Sequence, residues 1–194
     1  MKVVIVGGVA GGATAAARIR RLDERAEIVM IERSGYVSYA NCGLPYYIGG
    51  VIEDFGDLTL QTPENFRVRY RVDARVRQEA EEIDLARKRV KIRDLRTGKT
   101  YEEGYDKLLL SPGAKPIVPA IPGIEGERLF TLRTVEDTVA ISGFVRREKP
   151  RSALLIGGGF IGLEMAENLR GLGLEGTIAQ RSGHLFGIFD EDMV

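Results

Sequence analysis

The stretch MKVVIVGGVAGGATAAARIRRLDERAEIVMIE, residues 1–32, decides the fold of this 194-residue chain. Residues 3–6 form a short apolar run that ends in a glycine turn, which is typical of a buried parallel strand. Residues 11–22 are rich in alanine and predict a helix that packs on a sheet. A second apolar run, residues 27–31, ends at Glu32 and predicts the next strand. The stretch therefore predicts a βαβ unit with a right-handed crossover.

The turn between this strand and helix has the glycine spacing of a dinucleotide-binding fingerprint. Gly7 permits a tight turn, and Gly12 lets the helix pack close to the strand. The helix N-terminus near Gly11 predicts a pyrophosphate site formed by free N–H groups. Glu32 lies about 20 residues beyond the turn, where an acid accepts hydrogen bonds from a ribose. Val9 stands where the middle glycine is usual, and an ordinary glycine-rich βα turn is the alternative.

A second strand–turn–helix pattern later in the chain repeats the first. Its turn carries Gly157, Gly159 and Gly162, so it predicts a second dinucleotide site. Gln180 and Arg181 stand where an acid would select an unphosphorylated ribose. An uncharged glutamine beside an arginine tolerates a 2′-phosphate better. This pair favours NADPH, or the use of both NADPH and NADH.

The residues between the two glycine turns predict further strands and a helix. The hydrophobic period changes to two over residues 71–110, which predicts an antiparallel meander that returns to a buried central strand at residues 106–111. A strand at residues 129–132 and a helix at residues 135–148 follow, and Pro150 ends the helix. These patterns predict an α/β chain.

The patterns also predict two domains. Residues 1–114 are predicted to form a Rossmann-like cofactor-binding βαβ unit with the antiparallel meander. Residues 115–127 are rich in proline and glycine and predict a linker. Residues 128–194 are predicted to form the first part of a second Rossmann-like domain.

Composition and charge exclude several classes of partner. The chain has 28 basic and 28 acidic residues, and this balance indicates neither nucleic acid nor an anionic membrane as a partner. No segment approaches the length of a membrane span, and the short apolar start is not typical of a signal peptide. A single cysteine predicts a reducing compartment, with the cytoplasm as the default.

Cys42 is the only cysteine, which excludes an internal disulfide and a multi-cysteine metal site. It lies in the polar stretch SYANCGLPYY, residues 38–47, soon after the first nucleotide unit. Pro45 predicts a helix that begins at Cys42, and a thiol at a helix N-terminus forms the nucleophilic thiolate more readily. A buried, inert thiol is the alternative. Two dinucleotide units imply two cofactors, one of them a flavin, and this setting favours a reactive Cys42.

Four stretches together resemble the pyridine nucleotide-disulfide oxidoreductases. They are VVIVGGVAGGATAAARIRRLDE, SYANCGLPYYIGG, YDKLLLSPGAKP and LLIGGGFIGLE. Within that family the chain is similar to the single-cysteine group of coenzyme A-disulfide reductases, NADH oxidases and persulfide reductases. Relatives with two redox cysteines carry a C-x-x-x-x-C pair, whereas here Ser38 precedes Cys42. The resemblance implies an enzyme that passes electrons from NADPH or NADH through FAD to Cys42 and on to a disulfide.

The resemblance also implies roles for individual residues. Cys42 is the implied redox nucleophile, which cycles through a mixed disulfide with coenzyme A or, in the related enzymes, through a sulfenic acid or persulfide. The implied substrate-binding residues are Thr14, Arg18, Arg21, Ser38 and Asn41. With the second glycine turn included, the cofactor-binding residues are Gly7, Gly8, Val9, Ala10, Gly11, Gly12, Glu32, Arg33, Asn41, Ala80, Ser111, Pro112, Gly113, Gly157, Gly159, Phe160, Ile161, Gly162, Gln180 and Arg181. A solvated helix face is an equal alternative for Arg18 and Arg21, and no residue is assigned to a metal.

The resemblance finally concerns length and assembly. Members of the family continue well past residue 194 into the rest of the nicotinamide domain, a returning part of the flavin domain and a C-terminal dimerisation domain. Full-length relatives are therefore expected to be homodimers that act on a small thiol or disulfide, coenzyme A disulfide above all. A truncated chain that binds nucleotide without catalysis is the alternative to an active reductase.

Overall fold

The computed structural model describes residues 1–187, 189, 190 and 192. The chain forms two compact units. The first comprises Met1–Tyr39 and Thr59–Lys115, and the second comprises Ala40–Leu58 and Pro116–Val194. The predicted α/β class with Rossmann-like units is confirmed, while the predicted domain boundaries remain a prediction. The sequence patterns contained no sign that Ala40–Leu58, which carries Cys42, groups with the second unit.

The elements near each end of the chain alternate between strands and helices, as the βαβ pattern predicts, whereas five strands in the middle follow one another without an intervening helix. The strands are β1 (Lys2–Val6), β2 (Glu27–Glu32), β3 (Val72–Val76), β4 (Gln78–Asp84), β5 (Arg89–Asp94), β6 (Thr100–Gly104), β7 (Lys107–Leu110), β8 (Ser152–Ile156) and β9 (Glu175–Ala179). The helices are α1 (Ala10–Leu22), α2 (Leu44–Ile48), α3 (Pro63–Tyr70), α4 (Val135–Glu148) and α5 (Phe160–Gly171). Short 3₁₀ turns occur at Asn41–Gly43 and Phe55–Leu58.

The first unit is built on a parallel sheet with the strand order β3-β2-β1-β7. Ile5 and Met30 on the two inner strands are fully buried, as expected of a parallel sheet. Strand β7 pairs with β1 alone in the described part of the chain, and its Leu110 is 56% exposed. The predicted buried central strand at residues 106–111 is therefore wrong, because this apolar run forms an edge strand.

The meander consists of three antiparallel strands in the order β4-β5-β6. Val90 and Ile92 of β5 are fully buried, whereas the alternate residues of this strand are exposed, which explains the period of two. The meander is thus shorter than predicted over residues 71–110, because β3 joins the parallel sheet instead. The buried face of β5 packs against Val4 and Val29 of that sheet.

A cation–carboxylate network links four strands of the first unit. Lys2 Nζ lies 2.6 Å from Glu103 Oε1 and 2.7 Å from Glu27 Oε1, and Arg75 Nη1 donates to the second oxygen of Glu103. Desolvation alone would raise the pKa of Glu103, but hydrogen bonds from Lys2 and Arg75 outweigh it and lower this pKa below its ordinary value. The same bond to Glu103, with that to Glu27, raises the pKa of Lys2.

Glu103→Gln is expected to lower the free energy of unfolding by about 2 kcal/mol at neutral pH, because two cations lose their shared charged partner. The pKa of Glu103 is lowered on folding from 4.5, so its contribution is present above that value and is lost as pH falls through the lowered pKa. Urea unfolding should therefore show a difference between wild type and variant that shrinks in acid. The exposed Glu82 offers the control, since Glu82→Gln should change stability by less than about 0.5 kcal/mol.

A buried arginine ties α1 to the end of α3. Arg20 is 9% exposed, and within the described part of the chain its guanidinium donates to backbone carbonyl oxygens. Its acceptors are Tyr70 at 2.7 Å, Asp23 at 3.2 Å, Glu24 at 2.6 Å, Ala26 at 2.7 Å and Arg71 at 2.9 Å. These carbonyls lie at helix ends and turns, where intrahelical donors are lacking. Arg20 therefore has a structural role, whereas Arg18 and Arg21 of the same helix are predicted to bind the substrate.

The second unit pairs β8 with β9 in parallel, and α2, α4 and α5 enclose its core. Ile48 of α2 is buried together with Ile141, Met165 and Leu169 of the two longer helices. The strand predicted at residues 129–132 is wrong, because this apolar run has no strand partner among the described residues. None of the helices in the described part of the chain combines the length and the apolar character needed to cross a membrane.

Candidate functional site

The first glycine turn presents amides without intrahelical acceptors. Helix α1 has no side-chain cap at Val9 and no acidic residue in its first turn. Ala13 donates the first bond of the helix to Val9, at 3.0 Å, so the amides of residues 10–12 precede the hydrogen-bonded ladder. An uncapped helix N-terminus with free N–H groups is suited to a pyrophosphate. The structure therefore places the predicted residues of this turn where they fit a dinucleotide.

Close packing shapes this turn. Gly7 has a φ of +99°, a conformation that favours glycine, and a Cβ at Gly12 would overlap the carbonyl oxygen of Gly7. Ser111 donates through Oγ to the carbonyl oxygens of Val6 and Gly7, each at 3.3 Å. The structure thus brings Ser111, with Pro112 and Gly113 directly after it, to the same turn.

The carboxylate of Glu32 connects the glycine turn with the loop after β2 through two hydrogen bonds. One carboxylate oxygen accepts from the Gly8 amide and the other from the Ser34 amide, both at 2.8 Å. Each oxygen keeps capacity for a second bond, so the predicted ribose contact is compatible with this geometry. Arg33 is exposed and lies 3.6 Å from Glu79.

The other predicted residues of the first unit differ in burial. Ala80 is half-buried and packs against the meander core. Thr14, Arg18 and Arg21 are all exposed, and their spacing places them on one face of α1. Neither arginine has an ion-pair partner in the part of the chain that the structure describes. Arg18 and Arg21 therefore form a cationic stripe on the helix surface, and its positive charge is suited to phosphate groups.

Ser38 lies against the glycine turn, because its amide donates to the carbonyl oxygen of Gly8 at 2.9 Å. Ser38 also has a φ of +48°, which turns the chain before Asn41 and Cys42. Ser38 belongs to the first unit, whereas Asn41 and Cys42 belong to the second.

Cys42 lies in the 3₁₀ turn that directly precedes α2. Its side chain is free and exposed, so the alternative of a buried thiol is wrong, while the reactivity of Cys42 stays a prediction. The predicted helix begins two residues after Cys42 and contains only five residues, with Pro45 in its first turn. So short a helix has a small dipole, and the exposure of the thiol is the stronger structural argument for its reactivity.

Arg133 contacts this turn and was missed by the sequence patterns. Its Nη1 donates to Asn41 Oδ1 at 3.3 Å. The two residues are 92 positions apart, and no periodicity connects an arginine before α4 with an asparagine before α2. The only local signal is the Thr134 cap of α4, which fixes the position of Arg133 in the chain.

The second glycine turn repeats the geometry of the first. Gly157 has a φ of +107°, and a Cβ at Gly162 would overlap the carbonyl oxygen of Gly157. Helix α5 begins after Gly159 with no side-chain cap and no acidic residue in its first turn. Phe160 and Ile161 in this first turn are 52% and 53% exposed. An anionic ligand therefore has an accessible helix N-terminus here as well.

Gln180 takes the structural place of Glu32 in this second unit. Its Oε1 accepts from the Gly158 amide at 2.9 Å, as Glu32 accepts from the amide of the corresponding Gly8. Its Nε2 donates to Ser182 Oγ at 2.6 Å. The amide therefore adds no negative charge at the site where an acid would select an unphosphorylated ribose, and Arg181 beside it is exposed.

The two glycines of this turn provide a matched pair of substitutions. Gly162→Ala is expected to lower the stability of the second unit by about 2 kcal/mol, because the methyl group meets a backbone oxygen. At Gly159 a Cβ would have no atom within 4 Å and φ is an ordinary −85°. Gly159→Ala should therefore keep stability within about 0.5 kcal/mol while weakening nicotinamide nucleotide binding about tenfold, because the middle glycine admits the pyrophosphate. Urea unfolding and nucleotide titration check both, and equal destabilisation by the two changes would contradict this account.

Comparison with known proteins agrees with this geometry. Residues 1–194 match the family described as pyridine nucleotide-disulphide oxidoreductase. A coenzyme A disulfide reductase from Staphylococcus aureus (strain JH9) is 42% identical over 192 residues, which cover 99% of this chain and 43% of that protein. The chain thus spans less than half the length of this curated relative.

Two solved structures extend the likeness. The reduced Bacillus anthracis CoADR-RHD superposes with a TM-score of 0.97 at 53% identity, covering 99% of this chain and 35% of that chain. An NAD-dependent persulfide reductase from A. fulgidus superposes with a TM-score of 0.91 at 40% identity, covering 96% of this chain and 34% of that chain. The fold, the two glycine turns and the matched length together show that this chain belongs to the pyridine nucleotide-disulphide oxidoreductase family.

Proposed function

We propose that this chain forms the flavin-binding and thiol-bearing part of an NAD(P)H-dependent disulfide reductase that acts on coenzyme A disulfide. The observation that carries the proposal is the exposed Cys42, the only cysteine of the chain. It follows a dinucleotide-type unit and precedes a second one in a sequence 42% identical to a coenzyme A disulfide reductase. An exposed lone thiol in this arrangement is suited to exchange with a disulfide.

The residues of the first unit fit FAD. The uncapped N-terminus of α1 offers free amides to a pyrophosphate. The carboxylate of Glu32 retains acceptor capacity for ribose hydroxyls. When bound, FAD supplies hydride acceptance from the nicotinamide and electron donation to sulfur. The chain's own contribution is to hold and orient the two nucleotides.

Cys42 performs the thiol chemistry. Its thiolate attacks one sulfur of the disulfide, the S–S bond breaks, and a mixed disulfide with Cys42 forms while the other thiolate leaves and takes a proton from water. The sulfur of Cys42 is oxidised in this step and the leaving sulfur is reduced. Arg18 and Arg21, exposed and without ion-pair partners in the described part of the chain, suit the phosphates of coenzyme A.

The second glycine turn is proposed to bind the nicotinamide nucleotide. The amide of Gln180 in place of an acid removes the repulsion that a 2′-phosphate would meet. We therefore expect NADPH to bind at least as well as NADH. The proposed compartment is the cytoplasm, and the whole protein is proposed to be a homodimer.

A persulfide reductase is the second candidate, supported by the 40% identity to the persulfide reductase from A. fulgidus. Cys42 would then carry a persulfide sulfur instead of a coenzyme A thiol. An NADH oxidase of the same family would instead use a Cys42 sulfenic acid. The rates at which Cys42 reacts with coenzyme A disulfide, with a persulfide and with hydrogen peroxide distinguish the three functions, and mass spectrometry identifies the adduct formed in each reaction.

The deciding experiment is a visible spectrum of the purified chain after incubation with FAD. We expect a yellow protein that releases FAD on denaturation and is bleached by NADPH or NADH under anaerobic conditions. Coenzyme A disulfide should then restore the oxidised spectrum. A colourless protein from which no flavin is recovered would overturn the proposal for this chain and favour the inactive nucleotide-binding fragment.

A further inference from the structure

Arg133 is half-buried, and its guanidinium bonds to the side-chain amide of Asn41. Its Nη1 donates to Asn41 Oδ1 at 3.3 Å. A guanidinium that loses water is ordinarily neutralised by an acid. Here the guanidinium bonds to a neutral amide, that of Asn41, which directly precedes Cys42 in the same 3₁₀ turn.

The backbone of Arg133 is held firmly. Its amide donates to Asp137 Oδ2 at 2.9 Å, and the amide of Thr134 donates to the same oxygen at 2.8 Å. Thr134 Oγ1 accepts in return from the Asp137 amide at 3.1 Å, which completes a capping box at the start of α4. The carboxylate of Asp137 therefore serves the cap of the helix. The arginine extends from a fixed point towards Asn41.

The bond to Oδ1 determines which side of the Asn41 amide is available to a ligand. An asparagine amide has one oxygen acceptor and an NH₂ group with two donors. Because Arg133 engages the oxygen, the two N–H donors of Nδ2 are directed away from the guanidinium. A rotated amide would bring its NH₂ group against the cation and lose the bond. The arrangement therefore leaves the two N–H donors of Asn41, the residue directly before Cys42, for another acceptor.

We propose that Arg133 is a positioning residue that orients the Asn41 amide so that its N–H groups donate to an amide carbonyl of the disulfide substrate. This inference rests on the proposed function. The thiol arm of coenzyme A contains amide groups, so its disulfide offers carbonyl acceptors near the sulfur that Cys42 attacks. A disulfide without amide groups gains nothing from Asn41. Arg133 thus contributes to substrate specificity without touching the substrate.

The test uses single-turnover formation of the mixed disulfide on the full chain, where Cys42 is the only thiol. The probes are coenzyme A disulfide and 2-hydroxyethyl disulfide, which lacks amides. Arg133→Met should raise the half-saturating concentration of coenzyme A disulfide about tenfold while its limiting rate stays within about twofold. Reaction with 2-hydroxyethyl disulfide should be unchanged. The exposed Arg128 gives the matched control, since Arg128→Met should leave both probes unaffected.

A double-mutant cycle isolates the route through Asn41. In an Asn41→Ala background, Arg133→Met should have no further effect on coenzyme A disulfide. Arg133→Lys should retain most of the affinity, because an ammonium also donates to Oδ1 and preserves the aliphatic packing of the side chain. This variant keeps the test decisive if Arg133→Met folds poorly, because loss of affinity in folded Arg133→Lys equal to that of Asn41→Ala overturns the proposal.

The outcomes separate this inference from the function on which it rests. An equal loss with both disulfides, an effect that persists in the Asn41→Ala background, or no effect of Arg133→Met overturns the inference alone, provided that the wild type prefers coenzyme A disulfide. A wild-type chain that reacts equally with both probes overturns the inference and the proposed substrate together. A loss confined to coenzyme A disulfide and dependent on Asn41 supports the inference.

Discussion

Cys42→Ser is expected to abolish mixed-disulfide formation with coenzyme A disulfide. The chain has one cysteine, so no second thiol can replace it, and a serine hydroxyl does not ionise near neutral pH as a thiol does. Intact-protein mass spectrometry after incubation with the disulfide should show a single adduct on the wild type and none on the variant. The exposure of Cys42 makes the wild-type reaction possible without unfolding.

The same variant should keep its fold, because serine is close in size and Cys42 does not contribute to the buried core. Its urea unfolding curve is therefore expected to match that of the wild type within about 0.5 kcal/mol. Binding of FAD should likewise persist, since the amides proposed to hold its pyrophosphate lie at the first glycine turn, which the substitution leaves unchanged. An adduct on Cys42→Ser, or a wild-type chain that remains unmodified, would contradict the assignment of Cys42 as the nucleophile.

Arg20→Leu is expected to have the largest effect on stability, a loss of about 4 kcal/mol in the free energy of unfolding. The change removes every guanidinium bond to the carbonyl oxygens around Tyr70 and Ala26, and buried acceptors that lose their donors are costly. Leucine cannot replace these bonds, although it fills part of the volume. The neighbouring Arg21 is exposed, so Arg21→Leu is the matched control and should stay within about 0.5 kcal/mol.

Urea unfolding followed by far-ultraviolet circular dichroism measures both variants. Arg20→Lys adds a graded comparison, because an ammonium has three donors where a guanidinium has five, so it should recover only part of the lost stability. Equal stability of Arg20→Leu and Arg21→Leu would show that the network around Arg20 contributes little. The cationic stripe formed by Arg18 and Arg21 would remain a proposal for substrate binding in either case.

The parts of the fold that the sequence predicted are those governed by local chemistry. Gly7 and Gly157 adopt left-handed conformations that few other residues tolerate, so the two turns could be identified without knowledge of their neighbours. The alternation within β5 followed directly from its two environments. The position of Cys42 beside a turn of helix was likewise predicted, although the helix begins two residues later.

The parts that could not be predicted depend on partners distant in sequence. The apolar run at residues 129–132 satisfied a strand pattern, yet a strand also requires a neighbour, and local composition does not specify one. The exposure of Leu110 has the same origin, because its burial depends on whether another strand pairs with the outer edge of β7. The bond from Arg133 to Asn41 joins residues 92 positions apart, and a single sequence contains no signal for it.

The grouping of Ala40–Leu58 with Pro116–Val194 affects how the protein should be divided for experiments. A polypeptide that stops at Lys115 would still contain Cys42, but it would lack α4 and α5, whose side chains bury Ile48 beside the thiol turn. The apolar face of α2 would then be left in water. Thiol measurements on such a shortened polypeptide would report a segment deprived of its support, so the nucleophile should be studied together with the C-terminal half of the chain.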